Sequence, residues 1–149
     1  MLHFSLSKQV RCAHQPKRIE IKQWLQHALI YSYKNIYIDI SIVNSLKSAS
    51  LNQEFRSKKG PTNVISLEYS NTRNEFAFLT GELVLCDQVI IAEALQQNKN
   101  IMAHYAHMIV HGMLHLQGLD HQDSDTADHM EKLEKKIMHD LGFPNPYKE

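Results

Sequence analysis

Residues 36–43, IYIDISIV, put Ile36, Ile38, Ile40 and Ile42 on one side of an extended chain and Tyr37, Asp39 and Ser41 on the other. Successive side chains of a strand point to opposite faces, so this alternation predicts a half-buried strand. Burying each isoleucine is worth about 1.5–3 kcal/mol. Such a strand therefore needs partner strands and a layer that covers its apolar face.

The rest of the chain offers that layer. Residues 19–33 space Ile21, Trp24, Leu25, Ala28 and Leu29 as an amphipathic helix, with Pro16 just ahead of its start. Residues 46–55 predict a short helix, and RSKKGPT after it carries the Gly60-Pro61 break of a loop. VISLEY (64–69) and ELVLC (82–86) read as two more strands, with a turn near Gly81. Asp87 is expected to cap the helix that follows, VIIAEALQQ. A second helix spans about 101–116 and stops at Gly118. A last one spans about 124–141, with Met130, Leu133, Ile137 and Leu141 on one face. The order predicts an α+β fold in which helices pack on a small mixed sheet. With no repeats, low-complexity tracts or internal boundary, residues 1–149 read as a single domain.

No run of AVILMFWYC residues exceeds four, against the roughly 20 a membrane helix needs. The first residues contain no apolar core or small-residue cleavage site, so a cytoplasmic location is expected. Cys12 and Cys86 lie far apart and form no CxxC pair, which argues against a disulfide scaffold and predicts two small buried hydrophobes. Sixteen Lys and Arg balance sixteen Asp and Glu, a neutrality that by itself argues against a nucleic-acid partner. The balance hides an asymmetry. Residues 1–60 hold ten basic and three acidic side chains, and residues 61–149 hold six basic and thirteen acidic ones, +7 against −7.

Seven of the ten histidines follow position 103, and their spacing carries the chemistry. His111 and His115 are four apart, so on a helix they lie about 40° apart on one face, one turn above the other. Two imidazoles so placed can converge on one ion. A third is supplied most economically by ending the helix and turning back, which Gly118 and His121 do in HGMLHLQGLDH, with spacing H-x3-H-x5-H. Three neutral imidazoles bind one Zn²⁺ and leave a fourth position for water or substrate, as catalytic zinc sites do. This is a zincin-like helix without the zincin base: HExxH proteases have a Glu where Gly112 stands here, so peptide hydrolysis falls behind other metal-assisted hydrolyses. His104 and His107 share the stripe but sit farther up the axis, and His107 is expected to orient or pack near the site.

The segment HMIVHGMLHLQGLDH (107–121) resembles the HGxLHLxGxDH signature of the YbeY family, bacterial metal-dependent endoribonucleases also called rRNA maturation factors. LNQEFRSKKGPTNVISLEY (51–69) is similar to the family's LNxxFR…PTDVLSF segment, and GELVLC (81–86) to its GDIxI segment. The resemblance implies an α+β fold, a zinc site of His111, His115 and His121, and a functional arginine at Arg56. It also implies cleavage of single-stranded RNA rather than DNA, in small-subunit rRNA 3′-end maturation and ribosome quality control, with rRNA and the ribosome as partners. Asn63 departs from the pattern's acid, Leu67 from its Phe, Glu82 from its Asp and Leu119 from a common Tyr.

On this reading the zinc ion polarises a scissile phosphate or lowers the pKa of a water, and the Arg56 guanidinium meets two phosphoryl oxygens as charge grows. Asp120 either backs the third imidazole or caps the turn. Glu82 is a candidate base by its charge alone. Two other functions fit the same residues: a ribosome-assembly factor in which the metal only staples the fold, and a metal-dependent hydrolase of another substrate. Arg11, Lys17, Arg18, Lys22, Arg56, Lys58 and Lys59 are expected to line one phosphate track beside the metal. Asp123, Asp125, Asp128, Glu131 and Glu134 are expected to form a solvated helix face.

Overall fold

A computed structural model of the protein describes residues 1–73, 77–120 and 122–147. The isoleucine-rich strand, β2 (Asn35–Val43), lies inside a four-stranded mixed sheet. β1 (Leu2–Lys8) pairs with it in parallel on one side, Leu2 opposite Ile36. β4 (Phe78–Cys86) pairs with it in parallel on the other, and β3 (Val64–Asn71) runs antiparallel to β4, for the order β1-β2-β4-β3. Asp39 and Glu82 face each other across β2 and β4. Each has a hydroxyl donor at 2.6 Å, Ser5 for Asp39 and Tyr69 for Glu82, which offsets their repulsion.

Five helices complete the mixed α+β architecture: α1 (Arg18–His27), α2 (Ser45–Arg56), α3 (Asp87–Gln96), α4 (Ile101–Leu116) and α5 (Ser124–Asp140). The main core joins Ile36, Ile38, Ile40 and Ile42 to Trp24 and Leu25 of α1, Ile109 and Met113 of α4, and Met130 and Met138 of α5. A smaller cluster of Val43, Ile65 and Val84 lies under Leu51 of α2. α4 is the central element: it packs on β3 and β4, and α1, α3 and α5 pack on it in turn. Its long buried surface explains why only a narrow stripe of it reaches the surface. No helix among the described residues is long and apolar enough to cross a membrane.

Several local expectations change. β1 was not anticipated: its Leu2, Phe4 and Leu6 alternate, but as an edge strand it buries them only in part. α1 ends at His27, and Ala28 and Leu29 pack on the core from beyond it. Cys12 is exposed, while Cys86 is buried as expected. Asp87 is the first residue of α3 rather than its cap; its buried carboxylate accepts from the Tyr105 hydroxyl and, at 3.1 Å, from Gln15 Nε2. Gly81 lies within β4, not in a turn. A Cβ there would stand 2.9 Å from the Leu67 carbonyl oxygen and 2.7 Å from Leu116 Cδ2, so Gly81 is required by the close approach of α4 to the sheet.

Gly112 does the same from the helix side. A Cβ would meet Leu83 Cδ2 at 2.7 Å and Ser66 Oγ at 3.1 Å. Both lie in or against β3 and β4, so the glycine sets how closely α4 sits on the sheet. The position that holds the base in HExxH enzymes has no room here for a glutamate. Gly112→Ala is expected to lower stability by about 1–3 kcal/mol through overpacking, read as a fall in the urea midpoint with an unchanged m-value.

Candidate metal centre and cleft

Histidines stand at successive turns of α4, His104 and His107 buried and His111 and His115 partly accessible. The rings of His107 and His111 are 6.3 Å apart, and those of His111 and His115 4.7 Å. His111 Nε2 and His115 Nε2 lie 3.2 Å apart. Two donors on a tetrahedral Zn²⁺ with bonds of about 2.0–2.1 Å are about 3.3 Å apart, so this pair has the spacing that one shared ion requires. His121 lies outside the described residues. Asp120 accepts a 3.4 Å bond from the Gln122 amide, which is turn-capping geometry.

Glu134 of α5 explains how His111 is held. Its carboxylate is buried, and Oε1 accepts from His111 Nδ1 at 2.6 Å and stands 3.3 Å from His107 Nε2. Oε2 accepts from the Tyr147 hydroxyl, so the C-terminal segment folds back to complete the set. Burial alone would raise the Glu134 pKa; the contact with His107 and the hydrogen bond from His111 outweigh it and hold the group well below the ordinary carboxylate range. Burial pushes His107 down, which keeps its ring neutral. An ionised Glu134 fixes the proton of His111 on Nδ1 and leaves Nε2 with its lone pair toward His115.

Glu134 corrects the expectation of a solvated acidic face. It lies four residues after Met130 and three before Ile137, inside the apolar stripe of α5. A lone carboxylate at stripe spacing was the available signal. Tyr147, near the end of the chain, offered no comparable one.

The two imidazoles open into a cleft of about 450 Å³ that Arg56 also lines, together with Phe55, Asn63, Ser66 and Glu68. Arg56 is the last residue of α2, and Ser57 ends the helix in the left-handed region at φ 55°. Asn52 Nδ2 donates to the Gly60 carbonyl at 2.9 Å, and Ser48 Oγ both donates to the Thr62 carbonyl and accepts from its amide at 3.0 Å. These bonds fold the 57–62 loop back on α2, which sets Arg56 at the cleft. Thus three of the four expected site residues, far apart in sequence, line one space.

Other expectations fare differently. Glu82 does not line this cleft; it accepts from Tyr69, whose hydroxyl that bond pushes up to about 12. Glu68 is the carboxylate among the described residues that line it. Asn63 Nδ2 donates to Glu93 Oε1 at 3.1 Å, and Glu93 in turn accepts from His104 Nε2 at 2.9 Å. An aspartate at 63 would face Glu93 as a like charge, which accounts for the amide. The single basic track is also divided. Arg18 donates to the Phe4 carbonyl at 2.8 Å and, with Lys22, lies against β1. That edge of the sheet is three strand spacings, about 14 Å, from β3 and the cleft.

A second group of metal-type donors, Cys12, His14 and Asp87, lies within 4.8 Å. Asp87 there also accepts from Tyr105 and Gln15, and His14 Nε2 lies 3.2 Å from it, so the group ties the loop after β1 to α3 and α4.

The comparisons agree with this architecture. The solution structure of TM1509 from Thermotoga maritima is similar over 100% of both chains, with a TM-score of 0.53 and 19% identity, which is a likeness of fold. Residues 6–142 match the family described as Endoribonuclease YbeY. With the match running through β2, α2 and α4 and over nearly the whole chain, the protein belongs to the YbeY family of metal-dependent endoribonucleases.

Proposed function

We propose that residues 1–149 form one endoribonuclease domain that cuts single-stranded RNA in small-subunit rRNA 3′-end maturation and ribosome quality control in the cytoplasm. His111, His115 and His121 hold one Zn²⁺ ion, and Arg56 binds the scissile phosphate. The observation that carries this reading is the cleft itself, where Arg56 faces the same space as His111 and His115. A metal that only stapled the fold would need no guanidinium beside it.

The ion, when bound, supplies Lewis-acid charge at a phosphoryl oxygen. The residues of the chain do the rest. Glu134 holds the His111 proton on Nδ1, and Tyr147 and His107 hold Glu134. Arg56 offers two parallel N–H donors to the phosphoryl oxygens, bonds that strengthen as negative charge accumulates there. The basic side chains local to the cleft are Arg56 and those of the loop after it, Lys58 and Lys59, so RNA affinity is modest and falls with salt.

The experiment is cleavage of single-stranded RNA by metal-free protein as Zn²⁺ is added back, with ion stoichiometry measured alongside. One ion per chain and zinc-dependent cleavage are expected, in Cys12→Ser as in the wild type. Cleavage unaffected by chelation would contradict the reading. Glu134→Ala is expected to weaken zinc binding about 10–100-fold, the usual cost of losing the carboxylate behind a metal-bound histidine. Glu134→Gln, which keeps an oxygen acceptor for Nδ1–H, should recover part of that loss in the same competition titration.

A further inference from the structure

Beyond the cleft, the cavity between the α3–α4 loop and the C-terminal segment stands out. It has two lobes of about 340 and 560 Å³ that share Gln97, Asn98, Lys99, His104, His107 and Pro146 as walls. The size is that of a small-molecule site. Asn63 lines both the larger lobe and the cleft that holds Arg56, His111 and His115, so the two spaces adjoin. His104 and His107 are 3% and 6% exposed, and His104 Nδ1 and both ring nitrogens of His107 have no hydrogen-bond partner among the described residues. A buried polar atom without a partner costs free energy that a bound donor or acceptor would recover.

The lining selects the chemistry of the occupant. Lys99, whose ammonium donates to the Pro146 carbonyl, shares the wall of the larger lobe with the Glu93 carboxylate, so the described lining carries no net positive charge to select a phosphate. The wall also holds the amides of Gln96, Gln97 and Asn98, which both donate and accept, and the ring of Tyr147, 40% exposed, which the buried His107 ring meets edge to face at 5.3 Å. Flat faces for stacking and neutral amides for edge recognition are what an unstacked nucleobase requires. We propose that this cavity receives the base of a nucleotide flanking the scissile phosphate, making the enzyme a reader of one unpaired base as well as of the RNA backbone. The inference rests on the nuclease reading above.

An abasic scan tests it. Single-stranded RNAs, each with one abasic ribonucleotide, are compared with the intact strand for cleavage by the zinc-loaded protein and for binding by protein with the metal chelated. The expected result is one position beside the cut site where base removal slows cleavage and weakens binding about tenfold to a hundredfold, the range one stacked base contributes. In Gln97→Ala/Asn98→Gly, which touches neither the histidines nor Arg56 and gives the left-handed Asn98 backbone a glycine, the intact strand should lose much of that advantage. A flat profile in both measurements, with normal cleavage, would overturn the base site and leave the nuclease reading standing. If no RNA were cut at all, the nuclease reading would fall, and the binding profile alone would decide on the cavity.

Discussion

Loss of one imidazole should abolish activity. His115→Ala is expected to reduce zinc binding below one ion per chain and to lower single-stranded RNA cleavage by about 10³-fold or more. The magnitude follows from comparison: removing a single neutral donor to a developing oxyanion costs about 10²–10³ in rate, and a divalent cation offers more charge at the same place. His111→Ala should be as inactive for a second reason. It leaves the buried Glu134 carboxylate with one donor fewer, and a hydrogen bond to a charged group is worth about 1.5–3 kcal/mol, so its Tm should fall as well. His115→Ala leaves the His111–Glu134 bond in place, and a loss of cleavage in it is the cleaner evidence. The check is metal analysis, Tm and cleavage on the three proteins side by side.

Arg56→Ala should separate binding of the ion from use of it. The side chain lies on the exposed end of α2, where substitutions usually change stability by no more than about 0.5 kcal/mol. Zinc stoichiometry and Tm should therefore match the wild type, while cleavage falls about 10²–10³-fold through loss of the phosphate donor. Arg56→Lys should recover only part of the rate, because an ammonium keeps the charge but cannot offer two parallel N–H donors. A single-turnover assay at saturating RNA places the loss on the chemical step.

Much of this arrangement was legible before the fold was known, and the exceptions have common physical causes. β2 and α4 are the clearest cases: four alternating isoleucines and a histidine pair at helical spacing each state a period and a face, so strand, helix and the His111–His115 stripe follow locally. The mixed α+β arrangement follows from their order. At Gly81 the residue alone does not tell a turn from a close approach, and only the position of Leu116 over the strand distinguishes them. Asp87 has the residue type of a cap, and its partners Tyr105 and Gln15 are distant in sequence. Glu134 stands among solvated acids on α5, and its role depends on α5 meeting α4 at His111 and on Tyr147 folding back onto it. The basic track failed for the same reason, since charges grouped along the chain were separated by the strand order. Spacing within one element can be read from residues, but partners that meet only through packing cannot.

The central claim is that one ion on the α4 histidines and Arg56 act together on an RNA phosphate. The most direct measurement is cleavage of single-stranded RNA as Zn²⁺ is titrated into metal-free wild-type and Arg56→Ala protein. The account predicts that both saturate at one ion per chain with similar affinity, that wild-type cleavage rises in step with occupancy, and that the variant stays about 10²–10³-fold slower when fully loaded. Equal cleavage by the two loaded proteins, or a wild type that binds its ion and cuts no RNA, would contradict it.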